Sequence, residues 1–238
     1  MNGLMYREYP YLFKAQAQIL QHGVDERGVY LILDQSLFYP QGGGQPADQG
    51  AIHATNAVYQ VFDVRKIDEA VRHYIVPNGQ DVCRESAVTL QVDPCRRLLN
   101  SKFHTAGHLI AAVAEQLFPQ LRAVKGHQFP GEAYVEFDGV IDIEDDFLTS
   151  FGAAVQDVIS RNAVVKTTTL SPEAMHALAD DLPYALAEDK AHRVCHIEGF
   201  PPVPCGGTHV RTLQDIATLC IKKCKRKKNR TRIHYEVL

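Results

Sequence analysis

Two short motifs, each with a pair of metal-ligand side chains, constrain the fold of this chain more than any other feature. His104 and His108 stand four residues apart, and so do Cys205 and His209. Three imidazoles and one thiol are a complete ligand set for a tetrahedral zinc ion. Roughly 100 residues separate the two pairs, which excludes a compact zinc finger. A fold that uses both pairs must bring distant segments together.

The histidine pair lies in a predicted helix. Asp93 supplies an acceptor at the N-cap, and Pro94 suits the first helical position. We expect a helix over 94–118, and His104 and His108 lie on one face of it because they are one turn apart. Its apolar stripe recurs at spacings of three and four residues and consists of Leu99, Phe103, Ala106, Ile110, Val113 and Leu117.

The second pair lies in the segment Cys205-Gly-Gly-Thr-His209, whose glycines permit a tight turn that directs both ligands inward. Four protein ligands are typical of a structural site, whereas three leave a position for water or substrate. A histidine that lies off the metal can instead act as a base for water. Both alternatives stay open, and His127, Gln128 and His196 are further candidates near the site.

The bulk properties are those of a folded protein. The chain has 238 residues, enough for one large domain or two modest ones, and 45% are hydrophobic. Its apolar runs are far too short to span a membrane, and its first residues contain no apolar signal core. We therefore expect a cytoplasmic protein without a membrane partner, monomeric or dimeric. The cysteines are thinly spread, which favours free or metal-bound thiols over disulfides: they are Cys83, Cys95, Cys195, Cys205, Cys220 and Cys224.

Charge is distributed unevenly along the chain. The net charge is −3, yet segment 222–232 contains eight basic residues and no acidic one. The remainder has 17 basic and 28 acidic residues, a balance of −11. One concentrated basic patch indicates contact with a polyanion, and a solvated charged turn is the alternative. The eight residues are Lys222, Lys223, Lys225, Arg226, Lys227, Lys228, Arg230 and Arg232.

Residues 1–92 are predicted to form a small β-barrel domain. Short β-rich runs separated by turn signals such as Pro77-Asn78-Gly79 are typical of such barrels. The runs cover residues 13–20, 28–33, 58–62, 71–76 and 87–92. The composition changes near residue 93 from β-rich to helical, so we predict a second domain over residues 93–238.

A run of three glycines, Gly42-Gly43-Gly44, interrupts the β-rich half. Consecutive glycines permit positive φ and the close approach of another backbone. A wide turn is the simplest interpretation. The flanking side chains can also bind a polar ligand or brace a neighbouring domain, and they are Tyr39, Gln41, Gln45 and Asp48.

The second half mixes helices and strands, so the predicted fold class is α+β with two domains. A final hairpin is predicted to pair residues 217–222 with residues 231–237 around a basic turn at 227–230. Alternation of Ile233, Tyr235 and Val237 gives this hairpin one buried face. The other predicted elements are a hairpin at 122–129 and 133–137, a helix at 144–161, strands at 164–170 and 193–198, and a short helix after Ser171.

Three motifs together resemble the alanyl-tRNA editing family, which comprises the editing domain of alanyl-tRNA synthetase and the free-standing AlaX proteins. The paired His-x-x-x-His and Cys-x-x-x-His motifs are similar to those of the family. So is the glycine run with its flanks, from Phe38 to Pro46, and segment 125–137 resembles the strand pair that lines the family's pocket. The resemblance runs from about residue 30 to the end of the sequence, in the family's order.

The resemblance implies a stand-alone editing protein of the medium-length AlaX type. The sequence contains no aminoacylation domain and no ATP-binding signature, which implies an ATP-independent enzyme. The expected fold is a translation-factor-type β-barrel followed by an α/β editing domain, with a mixed or antiparallel sheet and a long zinc-ligand helix. The expected activity is that of an aminoacyl-tRNA deacylase that serves translation fidelity. It hydrolyses the ester of mischarged Ser-tRNA(Ala), with Gly-tRNA(Ala) as a second substrate.

The resemblance also implies roles for the residues at matching positions. The expected zinc ligands, which are also the catalytic residues, are His104, His108, Cys205 and His209. The expected substrate-binding residues of the glycine-rich motif are Gly42, Gly43, Gly44 and Gln45.

Further substrate contacts follow from the chemistry of the ester. The backbone N–H groups near Gly206 and Gly207 are expected to bind the carbonyl oxygen, because no bulky side chain shields them. Thr105 or Gln45 is expected to bind the hydroxyl that distinguishes serine from alanine, since an unpaired buried partner rejects alanine. The eight basic residues of segment 222–232 are expected to bind tRNA phosphates.

Two positions depart from the family's usual pattern. Gly107 stands where a larger residue is usual, and we expect it to enlarge the pocket at a cost of about 1 kcal/mol in helix propensity. The segment from Leu213 to Ala217 replaces the usual Gly-Glu-Ile-Gly. Both leave the amino-acid specificity open. Two other functions also remain: a zinc-dependent hydrolase of another small ester or amide, and a non-enzymatic RNA-binding module with structural zinc.

Overall fold

The computed structural model describes residues 3–79, 87–179 and 191–238, the last four residues of the middle range by their backbone alone. The chain forms two compact units, Met1–Leu99 and Asn100–Leu238. This two-part architecture is α+β, as the sequence predicts. The predicted domain limits at residues 92 and 93 stay a prediction, and Cys83 lies outside the described residues. Within the described part of the chain, no helix is long and apolar enough to cross a membrane.

The first unit is mainly β-structure. Six of its strands close into an antiparallel barrel in the order β2-β3-β7-β6-β5-β8. Five of the six are predicted from the sequence, whereas the four-residue β5 is too short to show a β-rich run. The elements are β1 (Gly3–Leu4), α1 (Met5–Glu8), β2 (Lys14–Asp25), β3 (Gly28–Leu33), β4 (Gln35–Ser36), β5 (Gly50–His53), β6 (Val58–Ile67), β7 (Ala70–Ile75) and β8 (Ala87–Val92).

The barrel interior is formed by every second residue of its strands, because side chains alternate between the two faces of a strand. Apolar side chains that are fully buried come from five different strands, and they include Ile19, Leu33, Ile52, Val64 and Leu90. Burial of such side chains stabilises the fold by about 1.5–3 kcal/mol each. The relation of this barrel to translation factors stays a prediction.

The second unit combines two antiparallel sheets with helices. The larger sheet has the strand order β14-β15-β10-β9, and the smaller has the order β11-β12-β13. A 3-10 helix covers Leu213–Ile216. The elements are α2 (Pro94–Leu117), which begins in the first unit, β9 (Arg122–His127), β10 (Tyr134–Asp138), α3 (Phe147–Ser160), β11 (Val165–Leu170), α4 (Pro172–Ala179), β12 (His192–Ile197), β13 (Val203–Pro204), β14 (Leu219–Lys227) and β15 (Arg230–Val237).

Helix α2 has the predicted start. The Asp93 carboxylate accepts hydrogen bonds from the backbone N–H groups of Cys95 and Arg96, at 2.9 and 3.2 Å, which satisfies two donors that a helix start leaves without partners. The middle of the predicted apolar stripe is buried in the core of the second unit. Its two ends are not, because Leu99 and Leu117 are 40% and 50% exposed.

The final hairpin differs from the prediction in a way that matters for the basic segment. Strand β14 continues through the basic residues to Lys227, which pairs with Arg230. The turn therefore consists of two residues, Lys228 and Asn229, and Lys228 has a φ of +54°. The predicted end of the first strand at residue 222 was wrong because a bulge after Ile221 breaks its alternation.

Candidate metal centre

The two predicted ligand pairs meet in the second unit. One ligand atom each from His104, His108, Cys205 and His209 lies within 4.8 Å of the other three. The thiol is the common neighbour: Cys205 Sγ lies 3.4 Å from His104 Nε2, 3.3 Å from His108 Nε2 and 3.3 Å from His209 Nε2. The fold thus brings together two ligand pairs that lie roughly 100 residues apart in the sequence.

The three sulfur-to-nitrogen distances fit a single tetrahedral ion. Bonds of about 2.3 Å to sulfur and about 2.0–2.1 Å to nitrogen, at tetrahedral angles, separate the two ligand atoms by about 3.5 Å. The observed separations of 3.3–3.4 Å agree with that value. The cluster can therefore hold a metal ion, and three imidazoles with one thiol form a donor set that suits zinc.

Thr105 fixes the orientation of one ligand. Its hydroxyl donates to Ser101 O at 2.8 Å, so its oxygen is free to accept from His209 Nδ1 at 3.2 Å. The same oxygen accepts from the backbone N–H of Val210 at 3.2 Å. With its proton on Nδ1, the His209 ring presents an Nε2 lone pair to the cluster, as metal-ligating histidines require.

The Cys205 loop is held from both sides. The Thr208 hydroxyl lies 2.7 Å from the hydroxyl of Ser101 on α2, and both side chains are buried. On β12, Arg193 Nη1 donates to Cys205 O at 2.9 Å and to Gly207 O at 2.8 Å. Sequence reasoning missed Arg193, because nothing in a lone arginine indicates that it binds a loop twelve residues ahead.

Burial sets the protonation of the metal-free cluster. It lowers the pKa of His108 to about 4 and holds the pKa of His104 well below its usual range. The pKa of His209 is also well below its usual range, first through burial and then through His104 and His108. Burial raises the pKa of Cys205 to about 11. The imidazoles are therefore neutral and ready to bind, and metal binding releases the thiol proton.

Gly107 does not open an empty pocket. A Cβ built on it would lie 2.9 Å from Gln128 Nε2 and 3.0 Å from Tyr235 Oη, so these side chains occupy the space that the glycine leaves. The Gln128 side chain is 5% exposed, and its Oε1 has no hydrogen-bond partner within the described part of the chain. Gln128 therefore packs on Gly107 of α2 through its amide nitrogen, and its amide oxygen is a buried acceptor.

The glycine run lies in the first unit and forms a tight turn. Gly42 and Gln45 exchange backbone hydrogen bonds of 3.2 and 2.9 Å, and Gly43 and Gly44 have φ values of +53° and +82°. Positive φ at both central residues explains why glycines stand there. The Tyr39 hydroxyl donates to Gly42 O at 2.9 Å and braces the turn. The predicted wide turn is corrected to this two-residue one.

Most of the other predicted residues lie on the two sheets of the second unit, whereas Gly207 lies in the Cys205 loop and Lys228 in the turn after β14. His127 is in β9 and stacks on neighbouring rings, whereas His196 is in β12 opposite Lys166. The Gly207 backbone N–H donates to Cys205 Sγ at 3.4 Å. The basic segment forms strands β14 and β15, and Arg226 pairs with Asp142 at 3.2 Å.

A β-barrel unit joined to an α+β unit with a His/Cys metal cluster defines the class of protein, and comparisons with known proteins identify the family. Residues 10–96 match the family model described as tRNA synthetases class II (A). The alanyl-tRNA editing protein AlaX-M of Methanosarcina barkeri is 30% identical over 220 residues, and the match covers 88% of each chain. The chain belongs to the AlaX family of alanyl-tRNA editing proteins.

Two longer relatives match almost the whole chain. The alanyl-tRNA editing protein AlaX-L of Pyrococcus horikoshii is 27% identical over 234 residues, and the alanine–tRNA ligase of Korarchaeum cryptofilum is 29% identical over 232 residues. The matches cover 97% and 94% of this chain but 57% and 25% of those two relatives. The chain thus spans little more than half of one and a quarter of the other.

Proposed function

We propose that this protein is a cytoplasmic trans-editing deacylase that hydrolyses the ester of mischarged Ser-tRNA(Ala) at a zinc site. The observation that carries the proposal is the convergence of three imidazoles and one thiol in a chain of the AlaX family. The medium-length architecture agrees with it, because the match to an AlaX-M protein covers most of both chains.

The zinc ligands in this proposal are His104, His108, Cys205 and His209. A zinc ion held by these residues would supply Lewis-acid polarisation of an oxygen of the substrate or of water, which requires a position beyond the four protein ligands or in place of one of them. Thr105 keeps the His209 ring in the metal-binding tautomer. Arg193 engages two carbonyl groups of the Cys205 loop, so it holds the loop backbone rigid. Because an aminoacyl ester is already activated, positioning accounts for much of the rate.

Binding of the ester carbonyl falls to Gly206 in this proposal. The N–H of Gly207 is directed at the Cys205 sulfur, so it is not available to a carbonyl oxygen at the same time. The glycine-rich turn of Gly42, Gly43, Gly44 and Gln45 is retained as a substrate-binding element, on the resemblance of its motif.

Gln128 is the best-supported partner for the serine hydroxyl. The hydroxyl of Thr105 is already engaged with Ser101 O and His209 Nδ1, whereas Gln128 Oε1 is a buried acceptor without a partner in the described chain. An acceptor that pairs only with a hydroxyl-bearing substrate discriminates against alanine, because it stays unsatisfied when alanine binds. Gln128→Met keeps the size and removes the acceptor, and it should lower the ratio of Ser to Ala hydrolysis.

The test is a deacylation assay on tRNA(Ala) charged with serine, glycine or alanine, with and without a chelator. We expect hydrolysis of the serine ester, its loss on chelation and its recovery with zinc. Cys205→Ala should abolish activity in a folded protein, and the exposed Cys95→Ala should not. A wild-type protein that binds zinc without hydrolysing any of the three esters would instead support the RNA-binding module, which the complete four-ligand set also allows. Zinc-dependent turnover of small esters alone would support the other hydrolase.

A further inference from the structure

The larger sheet of the second unit has one face that no helix described here covers. On β15 the core side carries Ile233 and Tyr235, and Tyr235 Oη donates to Phe103 O of α2 at 2.7 Å. The opposite side carries Arg232 and His234. We call the opposite side the open face, and its polar and aromatic residues are His127 and Lys125 on β9, Tyr134 and Glu136 on β10, Lys223, Lys225 and Lys227 on β14, and Arg230, Arg232 and His234 on β15.

The open face is strongly basic. Arg122, Asp138 and Glu236 lie on the same side of the sheet. With them, the open face carries seven lysine and arginine residues and three carboxylates. Its net charge is therefore +4, in a chain whose net charge is −3. The positive charges crowd one another: the neighbouring Lys223 lowers the pKa of Lys225, and Arg232 contributes. A polyanion relieves such repulsion, so charge complementarity favours one as the partner.

Two of the arginines are held in place. Glu136 is only 7% exposed although it lies on the open face, and its carboxylate accepts from Arg230 Nη1 at 2.6 Å and from Arg232 Nε at 3.1 Å. Arg232 also lies over the Tyr134 ring, with its guanidinium carbon 4.1 Å from the ring centre. These contacts fix a planar cation on an aromatic face before any ligand arrives, which reduces the entropy lost on binding.

A stack of rings continues from this arginine to the hairpin end of the sheet. Tyr134 also stacks with His127 at 5.2 Å between centroids, and His127 stacks with Phe129 at 4.3 Å with an interplanar angle of 6°. The stack ends at Phe129, which is half-buried. Among the described residues, Phe129 has a ring contact with His127 alone, and its partial exposure leaves part of its surface to a further planar group.

Stacking surfaces beside fixed cations are the chemistry by which proteins bind unpaired nucleotides. Lipid headgroups and acidic peptides satisfy the charge but offer no planar group to the stack. The neighbour of Phe129 links this end of the sheet to the metal centre, because Gln128 turns inward and packs against Gly107, one residue before His108. An RNA strand stacked on Phe129 therefore lies next to a residue that packs on the helix carrying His104 and His108.

We propose that the open face binds the unpaired 3′ segment of the tRNA substrate, with one base stacked on Phe129 and the phosphates along the lysines of β14. This rests on the proposed function for the identity of the RNA, and it assigns the RNA contact to aromatic residues outside the basic segment. Arg226 is not part of the surface, because its position pairs with Thr231 on the core side and its side chain reaches Asp142.

The test uses the zinc-loaded full-length protein and an uncharged RNA hairpin with a single-stranded 3′ tail, in which 2-aminopurine replaces one tail base at a time. Stacking on Phe129 should quench the fluorescence at one position. Phe129→Leu should remove that quenching and weaken binding about 5- to 100-fold, whereas Phe129→Tyr should retain both. Phe62→Leu is the matched control, because Phe62 is a 43% exposed phenylalanine of the barrel unit.

Equal binding and equal quenching by wild type and Phe129→Leu would overturn the proposal. The proposal would also be overturned if a poly-glutamate peptide competed for the surface as strongly as the RNA does, since binding would then depend on charge alone. The assay needs no turnover, so these outcomes are independent of the deacylation assay. If the wild-type protein hydrolyses Ser-tRNA(Ala) and Phe129→Leu raises neither KM nor Kd, the proposed function stands and the proposed surface falls.

Discussion

The two units of the protein bury polar groups in opposite ways. In the first unit, Arg97 is fully buried and pairs with the equally buried Asp48, while its remaining N–H groups donate to Leu37 O at 2.7 Å and Pro10 O at 2.8 Å. In the second unit, three imidazoles, two of them buried and that of His108 partly buried, converge on the sulfur of Cys205. The first arrangement is an acid paired with a base, and the second is a set of electron-pair donors directed at one point.

This difference teaches what each unit needs in order to be stable. A guanidinium, a carboxylate and backbone carbonyls satisfy one another, so the barrel unit is complete with its own residues. Neutral imidazoles offer lone pairs to the same small space, and lone pairs are satisfied together only by a cation. The stability of the barrel unit should therefore fall when a buried side chain is removed, and the stability of the second unit should fall when the metal ion is removed.

The largest expected effect is the loss of the buried ion pair. Arg97→Met leaves the Asp48 carboxylate buried without its counter-charge, and such a change costs about 3–5 kcal/mol in the free energy of unfolding. Urea denaturation followed by circular dichroism measures it. Arg96→Met is the control, because Arg96 lies on the same helix and donates to Ala47 O through one nitrogen, a bond worth about 1 kcal/mol. Equal losses in both variants would contradict the assigned role of Arg97.

The second largest expected effect is the stabilisation of the second unit by a bound metal ion. At a free zinc concentration of 100 times Kd, binding to the folded state alone raises the free energy of unfolding by about 2.7 kcal/mol. Thermal denaturation across a zinc titration measures this gain. Cys205→Ser should reduce it sharply, and Cys95→Ser should keep it because Cys95 is exposed and outside the cluster. A gain that survives in Cys205→Ser would place the ion elsewhere.

A smaller effect is the pH dependence contributed by His73 in the barrel unit. His73 Nδ1 donates to Leu31 O at 3.1 Å, its Nε2 lies 2.8 Å from Ser36 Oγ, and burial lowers its pKa to about 4. The unfolded chain, with a histidine pKa near 6.5, binds more protons than the folded one between these values. The stabilisation is therefore complete above pH 6.5 and is lost as the pH falls towards 4, by about 2 kcal/mol at pH 5.

Urea denaturation at pH 8 and pH 5 tests this effect by comparing wild type with His73→Gln, which cannot titrate in this range. The variant should lose about 2 kcal/mol less than wild type between the two pH values. The exposed His22 is the position of the matched histidine-to-glutamine control. Identical pH dependence in wild type and His73→Gln would show that His73 is not buried as a neutral ring.

The smallest effect concerns Gly107 beside the metal centre. Replacing a helix-interior glycine by alanine gains up to about 1 kcal/mol in propensity, but here the new Cβ meets Gln128 and Tyr235. Gly107→Ala should therefore gain nothing in the wild-type background and should gain part of that ~1 kcal/mol in a Gln128→Ala background, where the Tyr235 hydroxyl still meets the new Cβ. Gly152→Ala in α3 is the control, because its Cβ would meet only Ile221 at an ordinary 3.8 Å. If Gly107→Ala changed the free energy of unfolding equally in both backgrounds, the packing of Gln128 on Gly107 would be contradicted.

The sequence was most informative where a local pattern carries its own physical meaning. Asp93 and Pro94 define the start of α2, and the four-residue spacing of His104 and His108 puts both ligands on one side of it. The two-residue period along β15 predicts which of its residues are buried. Each of these inferences depends on neighbours in the chain, so no knowledge of distant contacts was needed.

Sequence reasoning failed where the partner is distant in the chain. Glu136 stands between two apolar residues of β10, and only the pairing of β10 with β15 shows that it anchors Arg230 and Arg232. Gly107 was interpreted as an enlargement of the pocket because the side chain that fills it comes from the next hairpin. The strand β5 is too short for its own residues to indicate it.

The pairing of Arg97 with Asp48 has a consequence for modularity. Asp48 belongs to the loop after β4, whereas its counter-ion comes from the first turns of the following helix α2. A fragment that stops at the last barrel strand would bury an acid with no base and leave the carbonyl groups of Leu37 and Pro10 without this donor. The smallest self-sufficient barrel therefore includes the helix at least as far as Arg97. Recombination that exchanges such barrels between proteins has to carry this part of the helix with them.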